Sequence, residues 1–270
     1  MFRRLQRRLI YRPQRARRVC PREAGLDAAR VESVSYVTDD GLRLQGWHIP
    51  AEGDRRSGLG TLVFFPGNGF HRGKRGLTCR VLSELGFDVY LFDYRGYAEN
   101  PGKPTEELIS GDARAIWRHL TDERGIVASE IVIYGESLGG GVSTRLAAEL
   151  CAGGRLPGGL ILCATFSSLL DAAVHNYGWL PVRRVLVERY PSLELIPQVT
   201  CPLLVIHGEQ DRVVPIKLGR RLFDTAQRKS ANGVEKRFVS LPKAGHNDIL
   251  KVEAVGYRTG IEGFLDSLVH

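Results

Sequence analysis

One run constrains this chain more than any other: Ile131-Val132-Ile133-Tyr134-Gly135-Glu136-Ser137-Leu138-Gly139-Gly140-Gly141. A β-rich apolar segment passes directly into G-x-S-x-G, and a helix-compatible segment follows. The pattern predicts a strand, a sharp turn and a helix, with a serine at the turn. Glycines 135 and 139 suit that joint. The turn demands crowded or positive-φ backbone, and the helix must pack close to the sheet. A serine so placed has its hydroxyl lifted clear of the sheet, with backbone N–H groups aimed near it. Taken alone, the pattern equally fits a glycine-rich turn that happens to hold a serine.

The rest of the chain decides between the two. Val31–Val37 and Leu42–Ile49 alternate apolar and polar residues around Asp39-Asp40-Gly41, which reads as a β-hairpin. Strands are predicted at 61–65, 88–93, 130–134, 160–163, 203–206 and 236–241, with helical patterns between them. Strands that alternate with helices imply βαβ units, a mostly parallel sheet and helices on both faces. In such sheets the site lies at the carboxyl ends of the strands. Ser137, Asp211 and His246 each follow a predicted strand at that end. Residues 166–198 break the rhythm as a helical excursion rich in aromatic and apolar side chains.

Charge is concentrated at one end. Nine arginines (Arg3, Arg4, Arg7, Arg8, Arg12, Arg15, Arg17, Arg18 and Arg22) precede the first acidic residue, Glu23, and they exceed the whole net charge of +8. The expected organisation is a basic N-terminal arm over residues 1–30 on a nearly neutral domain over 31–270. A body of that charge does not indicate a specific nucleic-acid partner. Phe2, Leu5 and Leu9 recur at near-helical spacing among the arginines. Residues 1–22 thus read either as a basic amphipathic stretch for an anionic membrane surface or as apolar residues docked on the body with solvated arginines. No apolar h-region marks a secretory signal, and no serine precedes Ser33, against a mitochondrial-type presequence. The five scattered cysteines suggest a reducing compartment. The expected localisation is cytoplasmic, peripheral at the membrane if the arm binds it. No metal-ligand or phosphate-loop spacing stands out, so no cofactor is expected.

The order Ser–Asp–His along the chain is the one found in α/β-hydrolases, and five motifs carry the resemblance. They are Phe65-Pro66-Gly67-Asn68-Gly69, Asp93-Tyr94-Arg95-Gly96-Tyr97, Gly135-Glu136-Ser137-Leu138-Gly139, His207-Gly208-Glu209-Gln210-Asp211 and Ala244-Gly245-His246. Over about residues 32–268 the sequence resembles that superfamily. Within it, the chain is similar to compact membrane-associated members related to esterases, acyl-thioesterases and protein depalmitoylases. The resemblance implies an α/β-hydrolase fold of about eight strands with a short helical cap over 166–198. It implies Ser137 as nucleophile, His246 as general base and acid, and Asp211 as the orienting carboxylate. The oxyanion donors would be the backbone N–H groups of Leu138 and Asn68, with Gly69 as the fallback. Relatives usually carry His-Gly where this chain has Pro66-Gly67; proline lacks an N–H but is not the expected donor.

The substrate is less legible. Gly69, Phe70, Phe166, Tyr177 and Trp179 are the expected pocket residues, with Leu169, Leu170 and Leu180, and would suit an acyl chain; the same residues would equally serve to pack the cap. Arg95, Tyr97 and His207 read as structural, and Glu136 as a partly buried polar residue without a chemical role. The leading expectation is a serine esterase or thioesterase acting on a small-molecule or acyl substrate through an acyl-enzyme. A peptidase or amidase on the same residues, or a binding protein that keeps the fold, are the alternatives.

Overall fold

The computed structural model describes residues 2–54 and 59–268, with side chains from Gln6 onward. Phe2 and Leu5, which begin the amphipathic pattern, therefore lie outside the described side chains. Eight strands form one sheet in the order β1-β2-β4-β3-β5-β6-β7-β8. They are β1 Glu32–Val37, β2 Arg43–Ile49, β3 Thr61–Phe65, β4 Asp88–Phe92, β5 Ile131–Glu136, β6 Gly159–Cys163, β7 Leu203–Gly208 and β8 Arg237–Leu241. Strand β2 runs antiparallel to both of its neighbours, and every pairing from β4 to β8 is parallel.

Burial explains the sequence patterns. Strands β3, β6 and β7 are buried at every residue, as a parallel sheet covered on both faces requires. Alternate residues divide between two cores. Val63, Phe65, Ile131, Ile133, Leu160 and Leu162 face one, and Leu62, Phe64, Val132, Tyr134, Ile161 and Cys163 face the other. Helices α3 (Glu106–Arg118), α4 (Leu138–Ala152) and α8 (Ile216–Thr225) cover the first face. Helices α2 (Gly76–Glu84) and α10 (Ala254–Asp266) cover the second. Thr105 caps α3, its hydroxyl accepting from Leu108 N–H at 3.2 Å. Among the described residues no helix is long and apolar enough to cross a membrane.

Between β6 and β7 the chain leaves the sheet through three short helices, α5 (Leu169–Tyr177), α6 (Val182–Val185) and α7 (Ser192–Leu195). From Gln6 onward the N-terminal segment lies on the body, but through Gln6, Tyr11 and Val19 and not through Leu9, which is 64% exposed. After α1 (Phe2–Ile10), Tyr11 is 1% exposed and Val19 5%. The Gln6 side chain donates to Val185 O at 2.6 Å and accepts from Val187 N–H at 3.1 Å. Arg7 pairs with Glu188 at 2.7 Å, and the Tyr11 hydroxyl donates to the same carboxylate at 2.8 Å. Arg12 and Arg15 then make single parallel bridges to Gly69 and Ala98. The segment is thus a strap joining the cap to the loop after β3. The arginines at 8, 12, 15, 17 and 18 remain exposed.

Candidate active site

Strand β5 is followed at once by Ser137, whose backbone sits at φ 52°, ψ −115°. A non-glycine residue held there costs on the order of 1–3 kcal/mol unless its surroundings fix it. Here they do: Ser137 N–H donates to Cys163 O at 2.9 Å, while Ser137 O accepts from Gly140 N–H at 2.9 Å and from the Thr165 hydroxyl at 2.8 Å. The glycines serve the close approach of α4. A Cβ on Gly139 would lie 1.9 Å from Phe65 O, and one on Gly135 would lie 2.6 Å from Gly139 O.

Three strand ends bring the predicted residues together. The Ser137 hydroxyl lies 3.1 Å from His246 Nε2, and His246 Nδ1 lies 2.7 Å from Asp211 Oδ2. An ionised carboxylate only accepts, so Nδ1 carries the proton and Nε2 is free to take one from serine. Asp211 Oδ1 accepts from Val213 N–H at 2.9 Å and Val214 N–H at 2.7 Å. The buried His207 donates from Nε2 to Val214 O at 2.8 Å and stands 3.5 Å from Asp211 Oδ2. Its Nδ1 is buried with no hydrogen-bond partner among the described residues, so this core histidine is only half satisfied.

Burial pushes the Asp211 pKa up, but hydrogen bonds from His207, His246 and Val214 N–H outweigh it and hold the carboxyl well below its usual range. A depressed folded-state pKa stabilises the protein above the unfolded value of about 3.9. That contribution is lost as pH falls through the folded value. The gap in unfolding free energy between wild type and Asp211→Asn should therefore be full near neutrality and shrink below about pH 4. Denaturant titrations between pH 7 and 3 that gave a constant gap would contradict this.

The loop Pro66–Phe70 faces the serine and is braced on three sides. The Tyr94 hydroxyl donates to Pro66 O at 2.8 Å, and the Tyr97 hydroxyl to Asn68 O at 2.7 Å. Burial pushes the Tyr94 pKa well up, so it remains a donor. From the strap, Arg12 N–H also donates to Asn68 O, at 3.2 Å, and the Asn68 amide donates to Ile10 O at 2.6 Å. The Asn68 backbone N–H has no acceptor among the described residues. Arg95 anchors the bracing loop through the buried Asp112 and through Asp40 at 2.8 Å, which is the structural role its sequence suggested. Arg75 went unrecognised in the sequence. It pairs with Glu136 at 3.2 Å and donates to Gly69 O at 3.3 Å, tying the turn to the loop. Only contact across the sheet edge reveals this role for Glu136, which is adjacent to the serine.

The expected pocket residues separate. Phe166 is a correction: it is 2% exposed and belongs to the core under α4, where a Cβ on Gly141 would lie 3.2 Å from its ring. It is the first aromatic residue after β6, and the helix covers it. Tyr177 and Trp179 stand in solvent, 48% and 81% exposed, so they wall no enclosed chamber. Phe70 is 54% exposed at φ 66°, and the space beside Gly69 is open. Among the described residues no cluster of three or more His, Cys, Asp or Glu side chains is placed to hold a metal.

Fold and site together define an α/β-hydrolase. The chain belongs to the family whose model, described as serine aminopeptidase S33, matches residues 57–195. It is 41% identical over 243 residues to the uncharacterized protein Rv2307c of Mycobacterium tuberculosis, covering 90% of this chain and 81% of that one. It is 32% identical over 232 residues to the lysophosphatidylserine lipase ABHD12 of Danio rerio, covering 74% of this chain and 60% of that protein. The Pyrococcus furiosus esterase Pf2001 shares the fold with a TM-score of 0.72 at 19% identity, covering 96% of this chain and 99% of that one. Membership of that family identifies the chain as a hydrolase.

Proposed function

We propose that the protein is a serine esterase that works through an acyl-enzyme and takes single-chain lipid esters. The observation that carries this reading is the unbroken relay Ser137 Oγ–His246–Asp211, at 3.1 and 2.7 Å. His246 Nε2 takes the serine proton as Oγ bonds to the ester carbonyl carbon. The oxyanion that forms is met by Leu138 N–H at the start of α4 and by Asn68 N–H. Collapse expels the alcohol, which receives the proton from His246. Water then repeats the sequence and releases the acid. Asp211 stabilises the imidazolium in both halves. The lipid assignment is supported by the lysophosphatidylserine lipase relative. Thioesters would follow the same path, with a thiol leaving.

The description of the family model favours a second reading, an aminopeptidase. Such an enzyme must hold a substrate ammonium, and the carboxylate beside the serine, Glu136, is already paired with Arg75. Rates on p-nitrophenyl esters, acyl-thioesters and monoacyl glycerophospholipids should be compared with those on aminoacyl p-nitroanilides. Esters should be cleaved far faster, with the lipid ester among the best substrates. Faster cleavage of the anilides would establish the peptidase instead.

A further inference from the structure

Exposed apolar side chains and unpaired arginines recur along the strap, the cap and the loop after β3, the segments that flank this site. Backbone and side-chain contacts link these segments in turn. Phe70 follows Gly69, which bridges to Arg12 of the strap. Helix α1 precedes Arg12 and exposes Arg8 and Leu9, the latter 64% exposed. Gln6 of the same helix is hydrogen-bonded to Val185 and Val187, beside the exposed Arg183 and Arg184. From there the chain leads back to Leu180, Trp179 and Tyr177, which are 42%, 81% and 48% exposed. Asn176 then donates to Val213 O at 2.9 Å, two residues from Asp211. The linked segments thus begin at the loop after β3 and end at the triad carboxylate.

We propose that these segments dock on an anionic lipid bilayer, with the site mouth facing the membrane. Two features select that occupant. Arg8, Arg12, Arg183 and Arg184 make no ion pair among the described residues, and each such cation near an anionic surface strengthens binding about fivefold. The apolar members alternate with arginines along these segments and include a tryptophan and a tyrosine, the side chains that settle at headgroup depth. The inference stands apart from the ester reading, because docking needs no turnover.

The molecule supplies its own probe. Of its three tryptophans, Trp47 and Trp117 are buried at 0% and 2%, and only Trp179 is exposed. Full-length Ser137→Ala protein, which cannot consume the lipid, is mixed with phosphatidylcholine vesicles with and without phosphatidylglycerol. The anionic vesicles should sediment the protein and shift its emission to the blue, and brominated acyl chains should quench it. Zwitterionic vesicles should bind much less. Arg183→Gln with Arg184→Gln should weaken partitioning roughly 25-fold, at about fivefold per arginine. Trp179→Ser should weaken binding and abolish the emission change. Unchanged emission with both vesicle types, or binding indifferent to lipid charge and to the arginine changes, would overturn the proposal.

Discussion

Ser137→Ala should lower kcat on a short-chain ester by on the order of 10⁴-fold or more while leaving the fold intact. The magnitude follows from the order of events. His246 has no other hydroxyl within hydrogen-bond reach among the described residues, so without Oγ the base has nothing to activate but water. What remains is binding and oxyanion stabilisation. The fold should survive because alanine keeps the Cβ and occupies the same φ of 52°. The three hydrogen bonds that fix the turn are made by backbone atoms of Ser137, not by its hydroxyl. Unfolding free energy should therefore change by no more than about 0.5 kcal/mol. Steady-state kinetics with a denaturant melt of the same sample checks both halves.

Glu188→Ala should cost about 3 kcal/mol of stability and also slow turnover. Glu188 is 2% exposed. It accepts from Arg7 Nε at 2.7 Å, from the Tyr11 hydroxyl at 2.8 Å and from Glu106 N–H at the start of α3. Removing it strips a half-buried ion pair with Arg7, an anion at a helix N-terminus and the main tie between strap and cap. Tyr11 keeps one partner, the Tyr190 hydroxyl at 2.8 Å, which limits the loss. The effect reaches the site because the strap holds Asn68 through Ile10 O and Arg12 N–H. A loosened Asn68 would meet the oxyanion late, so kcat should fall more than KM rises. Glu188→Gln keeps an acceptor and should recover part of the stability. A Glu188→Ala protein that melted and turned over like wild type would show the strap to be dispensable.

The central strands and the convergence of Ser137, Asp211 and His246 are legible in the sequence for one reason. In a parallel sheet covered on both faces each strand is a continuous apolar run, and the functional residues fall at the ends of those runs. Leu203–Gly208 followed by Asp211 shows it well, since the run, the turn and the carboxylate are adjacent. What is made by distant pairing left no such trace. Tyr11 and Glu188 meet across 177 positions of chain, and neither has a local period that betrays the other. The arginine content of the arm leaves open whether it docks, because composition reports charge and not the few buried residues, Gln6, Tyr11 and Val19, that hold it to the body. Arg75 was hidden likewise, its partners Glu136 and Gly69 lying on other elements. Phe166 was misplaced because an aromatic residue beside a cap fits a pocket wall and a core equally well; only its position under Gly141 decides.

The central claim is that Ser137 is the nucleophile of a covalent mechanism. A fluorophosphonate traps such a serine by bonding its phosphorus to Oγ with loss of fluoride. Intact mass after incubation, followed by peptide mapping, should show one adduct, on the peptide that holds Ser137. The Asp211→Asn and His246→Ala proteins should acquire it much more slowly, because the base is misoriented or missing. A protein that stayed unlabelled while hydrolysing esters, or that carried the adduct on another residue, would contradict the account.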